Sequence, residues 1–366
     1  METRLRFNPT VPFNSLPPLP VERAAVETLN TLRKSLQATA ALAELKGISH
    51  TLRNPNILLN AVILREAKAS SAIENIVTTH DKLYRSLNLK GKDPDAATWE
   101  VLRYREAVKH GLSFIEDKGF LHMRIVADIQ KVMEMNDAGI RKLPGTRLLN
   151  ASTGESVYTP PDDTEVLNAL LQNYDEHYNS KDSLCPLIRM AVLHHQFESI
   201  HPFYDGNGRT GRILNLLFLL LHGLLDAPVL YMSGYIVRNK NDYYHHLQAV
   251  RTQGNWEPWI IYMLDAVEQS SRETIQKIQD INQLLHRTHD EMKQATPKLY
   301  SRELADLLFE QPYCRIEHVM QRMDVSRITA SKYLRELVKA GFVTREVQWK
   351  ESLFINHGMM SLLGDW

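Results

Sequence analysis

Cysteine is nearly absent from this chain: 366 residues hold two, Cys185 and Cys314, far apart and in no CxxC spacing. That excludes a disulfide framework and a cysteine-based metal site, and it points to a reducing compartment. An excess of one charge is lacking too. Lys and Arg total 43 against 43 Asp and Glu, with a pI near 7.3, so no global field draws the chain to nucleic acid or a membrane surface. No apolar run reaches the roughly 18 residues of a membrane span. The most apolar stretch, Ile213–Leu225, is interrupted by Asn215 and His222 and reads as a buried core helix. The first residues, METRLRFNPTVPF, contain no apolar segment of the kind a signal peptide needs. The expectation is a cytoplasmic protein without membrane contact, long enough for two or three domains.

One short stretch carries dense chemistry. His201-Pro202-Phe203-Tyr204-Asp205-Gly206-Asn207-Gly208-Arg209-Thr210-Gly211-Arg212 sits between two helical apolar patterns, Leu187–Ile200 and Ile213–Leu225. A loop leading into a helix start gathers free backbone N–H groups and the positive end of the helix dipole, which suits phosphate. The glycines let backbone approach a ligand. Arg209 and Arg212, at i and i+3, share a helix face and can grip two phosphates. Asp205 can ligate Mg²⁺, and His201 can take a proton near neutral pH. Each residue alone has a plainer reading as a turn or a core group; together, in this order, they read as a nucleotide site with a base attached. His194 and His195 are adjacent on a helix, point about 100° apart and read as packing residues, so no zinc site is expected.

The string resembles the signature of the Fic family, HPFxDGNGRxxR, matched here without gap or substitution. The resemblance implies transfer of AMP from ATP to a Ser, Thr or Tyr hydroxyl of a target protein or of the chain itself, with pyrophosphate released. By position, His201 would be the catalytic base and Asp205 would hold Mg²⁺ (or Mn²⁺). Gly206, Asn207, Gly208, Thr210 and Gly211 would contribute to ATP binding, and Arg209 and Arg212 would neutralise the phosphates. Upstream, Ser70-Ser71-Ala72-Ile73-Glu74-Asn75 fits the family's inhibitory pattern [S/T]xxxE[G/N] on a helical segment of about residues 57–75. It implies that Glu74 pairs with Arg212 and bars the γ-phosphate, with Ser70 one turn away on the same face. Tyr243 and Tyr244 resemble the family's YYxxL stretch at the adenosine end. Residues 146–163, with Ser152-Thr153-Gly154 between alternating segments, read as a β-hairpin. In the family this is the flap that docks the target's modified segment by strand addition.

The implied fold is all-α, with a Fic-type helical core, a hairpin flap and a small C-terminal winged helix. Residues 1–20 are proline-rich and read as an arm on the surface or on a neighbouring subunit. Residues 21–118 form an N-terminal helical region, where Leu29, Leu32 and Leu36, then Ile57, Leu58 and Val62, show helical apolar spacing. Residues 119–267 would be the Fic domain, 268–297 a helical connector and 298–366 the winged helix. In that last unit Ile316–Met323 is the first helix of a helix-turn-helix, and Ser326 caps the second. Its buried stripe is Ile328, Leu334, Leu337 and Val338, Gly341 ends it, and 342–344 with 352–355 pair as a wing. Residues 326–345 hold five basic residues against one acid, Glu336, a candidate DNA-phosphate contact. The alternative function class is therefore a DNA-binding regulator with a nucleotide-sensing Fic domain. A Fic enzyme that removes AMP, or uses another donor, is a narrower alternative. A homo-oligomer is compatible with the sequence but not legible in it.

Overall fold

Apolar residues recurring at three- and four-residue spacing make this chain helix after helix. The computed structural model describes residues 7–51, 55–88, 94–150, 153–181, 183–348 and 351–364. An extended arm and one turn, α1 (Arg23–Val26), lead into α2 (Leu29–Ser49), α3 (Pro55–Ile73), α4 (His80–Asn88), α5 (Ala96–Lys118) and α6 (Met123–Glu134). A hairpin, β1 (Leu148–Leu149) with β2 (Ser156–Tyr158), precedes α7 (Thr164–Asn179), α8 (Pro186–Ile200), α9 (Asn207–Leu221), α10 (Met232–Arg238) and α11 (Lys240–Gln253). Then comes the 40-residue α12 (Trp256–Ala295). The C-terminal part holds α13 (Arg302–Glu310), β3 (Tyr313–Cys314), α14 (Ile316–Met323), α15 (Arg327–Lys339), β4 (Thr344–Gln348), β5 (Glu351–Ile355) and α16 (His357–Gly364).

Side-chain caps set several starts: Thr28, Asp95, Asp163 and Ser326 each accept from backbone N–H groups two or three residues on. Pro186 opens α8, where its missing N–H costs nothing. Every residue from Leu187 to Ile200 is buried, so α8 is a central helix enclosed on all sides rather than an amphipathic one. It packs on α9, whose residues Arg209–Leu219 are buried as well. Phe197 and Phe203, both fully buried, anchor the loop between them; truncating such a phenylalanine typically costs about 3–5 kcal/mol.

The proline-rich arm lies along the hairpin. The hydroxyls of Ser156 and Thr159 donate to the carbonyl of Pro9 at 2.8 and 2.7 Å, and Phe13 N donates to the Thr159 carbonyl at 3.0 Å. Phe7 and Phe13 pack on the Tyr158 ring. The hairpin is antiparallel; Ser152, assigned to its turn, lies outside the described residues.

Two expectations change, for Ile328 and for the wing. Leu29, Leu32 and Leu36 lie on helix α2, as their spacing predicts, and on its exposed side; its inner face is Thr31, Ser35, Ala38, Ala41, Leu42 and Leu45. α2 has apolar residues on two faces, and the side against α12 takes the smaller set. α12 runs from Trp256 to Ala295, through positions 267 and 268 without interruption. Ile328 is 81% exposed at the start of α15, not in its buried stripe, which is Ala330, Leu334 and Leu337. The wing begins later than expected, at Thr344, and its β5 also pairs with β3, a strand the sequence had not shown, in the order β3-β5-β4. The Leu58 side chain lies outside the described residues.

The C-terminal part docks on α4, soon after Glu74. Tyr313 stacks on Tyr84 with ring centroids 5.8 Å apart, and its hydroxyl donates to Asp81. Arg85 pairs with Glu346 at 2.7 Å.

Candidate active site

His201 terminates α8 in the left-handed conformation, φ 51°, with its N–H bonded to the Phe197 carbonyl. Arg141 holds this corner. Its guanidinium donates to the carbonyls of His201 at 2.8 Å, Ile200 at 3.1 Å and Pro161, tying the base of the hairpin to the histidine. Arg251 bonds Ser199 Oγ and the Glu198 carbonyl and lies over the Tyr158 ring. Burial, then the charges of Arg251 and Arg141, push the His201 pKa down to about 3 against the pull of the Glu198 carbonyl. The imidazole is thereby kept neutral and able to accept a proton.

The loop then turns into α9. Gly206 is the N-cap at φ 78°, a conformation glycine adopts without strain. Asn207 fastens the turn: its amide donates to the Phe203 carbonyl at 2.8 Å and its oxygen accepts from Phe203 N at 2.9 Å. The Asn207 side chain is thus used to close the loop. Tyr204 is exposed, and its hydroxyl accepts from Lys142 N and Leu143 N. Asp205 is exposed beside it and accepts from Gly206 N at 2.6 Å.

Arg212 is buried, and its Nε donates to Ser70 Oγ at 2.7 Å. Its Nη2 donates to the Ser70 carbonyl and to Glu74 Oε1, both at 2.9 Å. Burial opposes the Arg212 charge, but Glu74 and the surrounding hydroxyls outweigh it and raise its pKa. A Cβ on Gly208 would collide with the Glu74 carboxylate, so glycine at that position makes room for this contact. Ser70 and Glu74, one turn apart, thus both lie on the Arg212 guanidinium. Behind them Tyr104 comes within 3.5 Å of Glu66, which accepts from Ser233 N and Oγ.

Arg209 and Arg212 pair with different carboxylates. Arg209 donates to Glu100 Oε2 at 3.0 Å and pairs with Glu134 Oε1 at 2.8 Å. Burial raises the Glu134 pKa first, and Asp205 and Glu100 add to it against the lowering by Arg209. Neither Glu100 nor Glu134 belongs to a motif, so only the fold brings them here. Glu198 is another group the sequence had not marked. It is buried one turn before His201, its Oε1 makes no hydrogen bond, and burial raises its pKa to about 7.

Thr210 and Gly211 are buried within α9. Tyr243 is buried too, its hydroxyl 2.8 Å from His194 Nε2, in an aromatic group with Trp259 and Tyr262. Tyr244 packs on Tyr243 and stays 43% exposed, so of the two it is the one open to a ligand. His195 lies against Trp256 and Trp259.

Among the described residues no three His, Cys, Asp or Glu side chains cluster to hold an ion. The donor set is one exposed carboxylate, Asp205. That fits Mg²⁺, which keeps several waters and binds through one or two carboxylates plus substrate phosphates. A cavity of about 380 Å³ between Leu19–Arg23 and Leu184–Leu193 contains no signature residue. Among the described residues no helix is long and apolar enough to cross a membrane.

Residues 32–113 match the model of the Fic/DOC family N-terminal region and residues 117–219 that of the Fic/DOC family. Residues 284–359 match the model of the protein adenylyltransferase SoFic-like C-terminal domain. The protein adenylyltransferase Fic of Drosophila willistoni is 28% identical over 266 residues, 67% of this chain and 50% of that protein. Its counterpart in Aedes aegypti is 24% identical over 199 residues, 54% and 38%. The chain spans about half the length, or less, of the curated relatives it matches. Among solved structures, a Fic family protein from Desulfovibrio desulfuricans superposes with a TM-score of 0.59 at 18% identity, covering 93% of this chain and 98% of that one. Fic-1 from C. elegans gives 0.52 at 21% identity, covering 67% and 71%. At such identities the likeness is one of fold.

Proposed function

Because this chain belongs to the Fic/DOC family, we propose that it is a protein adenylyltransferase that is held back by its own Glu74. The observation that carries this reading is the Glu74 carboxylate lying 2.9 Å from the Arg212 guanidinium at the head of a phosphate-binding helix. An anion on that guanidinium takes the position a terminal phosphate would use.

In the active arrangement Glu74 withdraws, and Arg212 and Arg209 receive the β- and γ-phosphates of ATP. The N–H groups at the start of α9 and the helix dipole stabilise the negative charge. His201, kept neutral, takes the proton of a Ser, Thr or Tyr hydroxyl as its oxygen bonds to the α-phosphorus. The bond from that phosphorus to the β-phosphate oxygen breaks, and pyrophosphate leaves. Asp205 would hold Mg²⁺ or Mn²⁺, which when bound neutralises phosphate charge. Positioning and charge stabilisation supply most of the rate in phosphoryl-type transfer. The target segment lies along the hairpin, residues 146–163. Since the arm covers the β2 side, the β1 side is the one open to strand addition.

We assign residues 21–118 to the inhibitory helical region and 119–267 to the catalytic domain, with α12 serving both as its last helix and as the connector. Residues 298–366 form a winged helix. The experiment that tests the function is intact-mass analysis of the chain and of a hydroxyl-bearing target after incubation with ATP and Mg²⁺. Gain of one AMP unit supports it; no adduct from the Glu74→Gly variant on any hydroxyl contradicts it.

One observation favours a second reading for the C-terminal unit. α15 exposes Ile328, Lys332, Arg335 and Lys339 at i, i+4, i+7 and i+11, a basic face with an apolar tip suited to a DNA groove. Salt-dependent binding to duplex DNA supports it, and no binding at low salt removes it.

A further inference from the structure

The outer face of α2 is apolar along its whole length. Leu29, Leu32 and Leu36 are 63%, 38% and 71% exposed. Ala40, Ala43 and Gly47 continue the same line, all exposed. Spacings of three and four residues put all six on one helix face, about 27 Å long at 1.5 Å per residue. Scattered surface leucines need no explanation, but an aligned set on a helix already buried on its other side does.

Gly47 is an independent sign of contact. Glycine within a helix is unfavourable relative to alanine, and a Cβ at Gly47 would meet nothing within 4 Å. Among the described residues nothing lies where its side chain would be. A helix arriving from outside would call for glycine there, since the missing side chain lets backbones come close.

The stripe is complementary to itself. Its bulky side chains occupy the N-terminal half and its small ones the C-terminal half. Two copies laid antiparallel about a two-fold axis near Ala38 bring Leu36 against the partner's Ala40 and Leu29 against the partner's Gly47. Large then meets small at both ends, as an isologous interface requires. The same rotation puts Arg33 beside the partner's Glu44 on one flank. Both residues are exposed, and neither has an ion pair within the chain among the described residues. Parallel packing would instead set leucine on leucine at one end and leave a gap at the other.

We propose that the outer face of α2 is a homodimer interface in which two copies of this chain pack α2 against α2, antiparallel. The test is the mass of the full chain in solution by sedimentation equilibrium from about 1 to 100 µM, the range in which a specific dimer with a micromolar Kd reveals itself. The expected mass is twice the 42.1 kDa of the chain. Leu36→Glu should give single-chain mass while keeping the wild-type circular dichroism and Tm, because Leu36 is 71% exposed and lies outside the core. Arg33→Glu should raise the dissociation constant about tenfold by setting like charges together, and adding Glu44→Arg should return it to near the wild-type value. Single-chain mass for the wild type at 100 µM, or a Leu36→Glu chain that still dimerises, overturns the interface. An unchanged constant in Arg33→Glu, or no recovery in the double variant, overturns the antiparallel register.

Discussion

Arg209 and Arg212 lie one turn apart on α9, and each is buried against carboxylate, but the two carboxylate environments differ in kind. Arg209 is held by two carboxylates, Glu100 from within α5 and Glu134 at the end of α6, 30% and 11% exposed. Both belong to helices packed into the core. Arg212 meets Glu74, one residue past the end of α3, on a turn, with 35% of its side chain exposed. A lone carboxylate on a turn past a helix can leave for water by one local rearrangement, whereas freeing Arg209 takes the movement of two carboxylates from two different helices. The comparison assigns Glu74 the part of a removable stopper, and Glu100 and Glu134 the part of a fixed mount for Arg209.

The largest expected effect is on the base both arginines serve. His201→Ala should still bind ATP, since α9 and both guanidiniums remain, and should lose AMP transfer by about 10²–10⁴-fold. ATP binding by calorimetry beside transfer by intact mass checks this, and a variant that transfers at the wild-type rate removes His201 from the mechanism.

Glu134→Gln sharpens the contrast between mount and stopper. It should leave transfer without a gain and cost about 1–3 kcal/mol of stability, the usual loss for a buried bond to a charged group, read as a fall of a few degrees in Tm. A rate gain to match that of Glu74→Gly would make Glu134 a second inhibitor and end the distinction.

The smallest effect expected is a missing one. A histidine with an ordinary pKa near 6.5 loses its free base as pH falls through that value. With the His201 pKa pushed down to about 3, the neutral form persists to well below pH 5, so the loss on acidification falls outside the usual range. Glu198, raised to about 7 by burial, titrates in the same window and is removed by Glu198→Gln. In the Glu74→Gly, Glu198→Gln chain the initial rate should therefore show no inflection near pH 6.5 between pH 5 and 8. An acid limb centred there would mean the imidazole is solvated and unpaired with the charges of Arg141 and Arg251.

What was legible in sequence was what lies close together in sequence. The signature from His201 to Arg212 is one loop and one helix start, and the Ser70–Glu74 pattern is one turn, so spacing conveyed their geometry. Glu100, Glu134, Arg141, Glu198 and Arg251 converge on the same site from four helices and a loop. No local pattern distinguishes them from ordinary surface charges. Tyr243 was matched by resemblance to the adenosine end, but its hydroxyl is taken by His194, while Tyr244 keeps the exposed side. The spacing of Leu29, Leu32 and Leu36 marked a helix, which is present, but not the side those leucines face. Apolar periodicity reports that a helix has an apolar face, not whether that face meets the chain's own core. The expectation for Ile328 failed for that reason.

The central claim is that Glu74 acts through Arg212, and a double-mutant cycle at these two residues tests it most directly. Initial rates of AMP transfer to one target would be measured by intact mass for the wild type, Glu74→Gly, Arg212→Ala and the double variant. Glu74→Gly should gain about tenfold or more, since a bias of about 1.4 kcal/mol suffices for that factor. The gain should disappear in the Arg212→Ala background, where the γ-phosphate has no guanidinium to recover. An equal gain in both backgrounds, or no gain in either, would contradict the account.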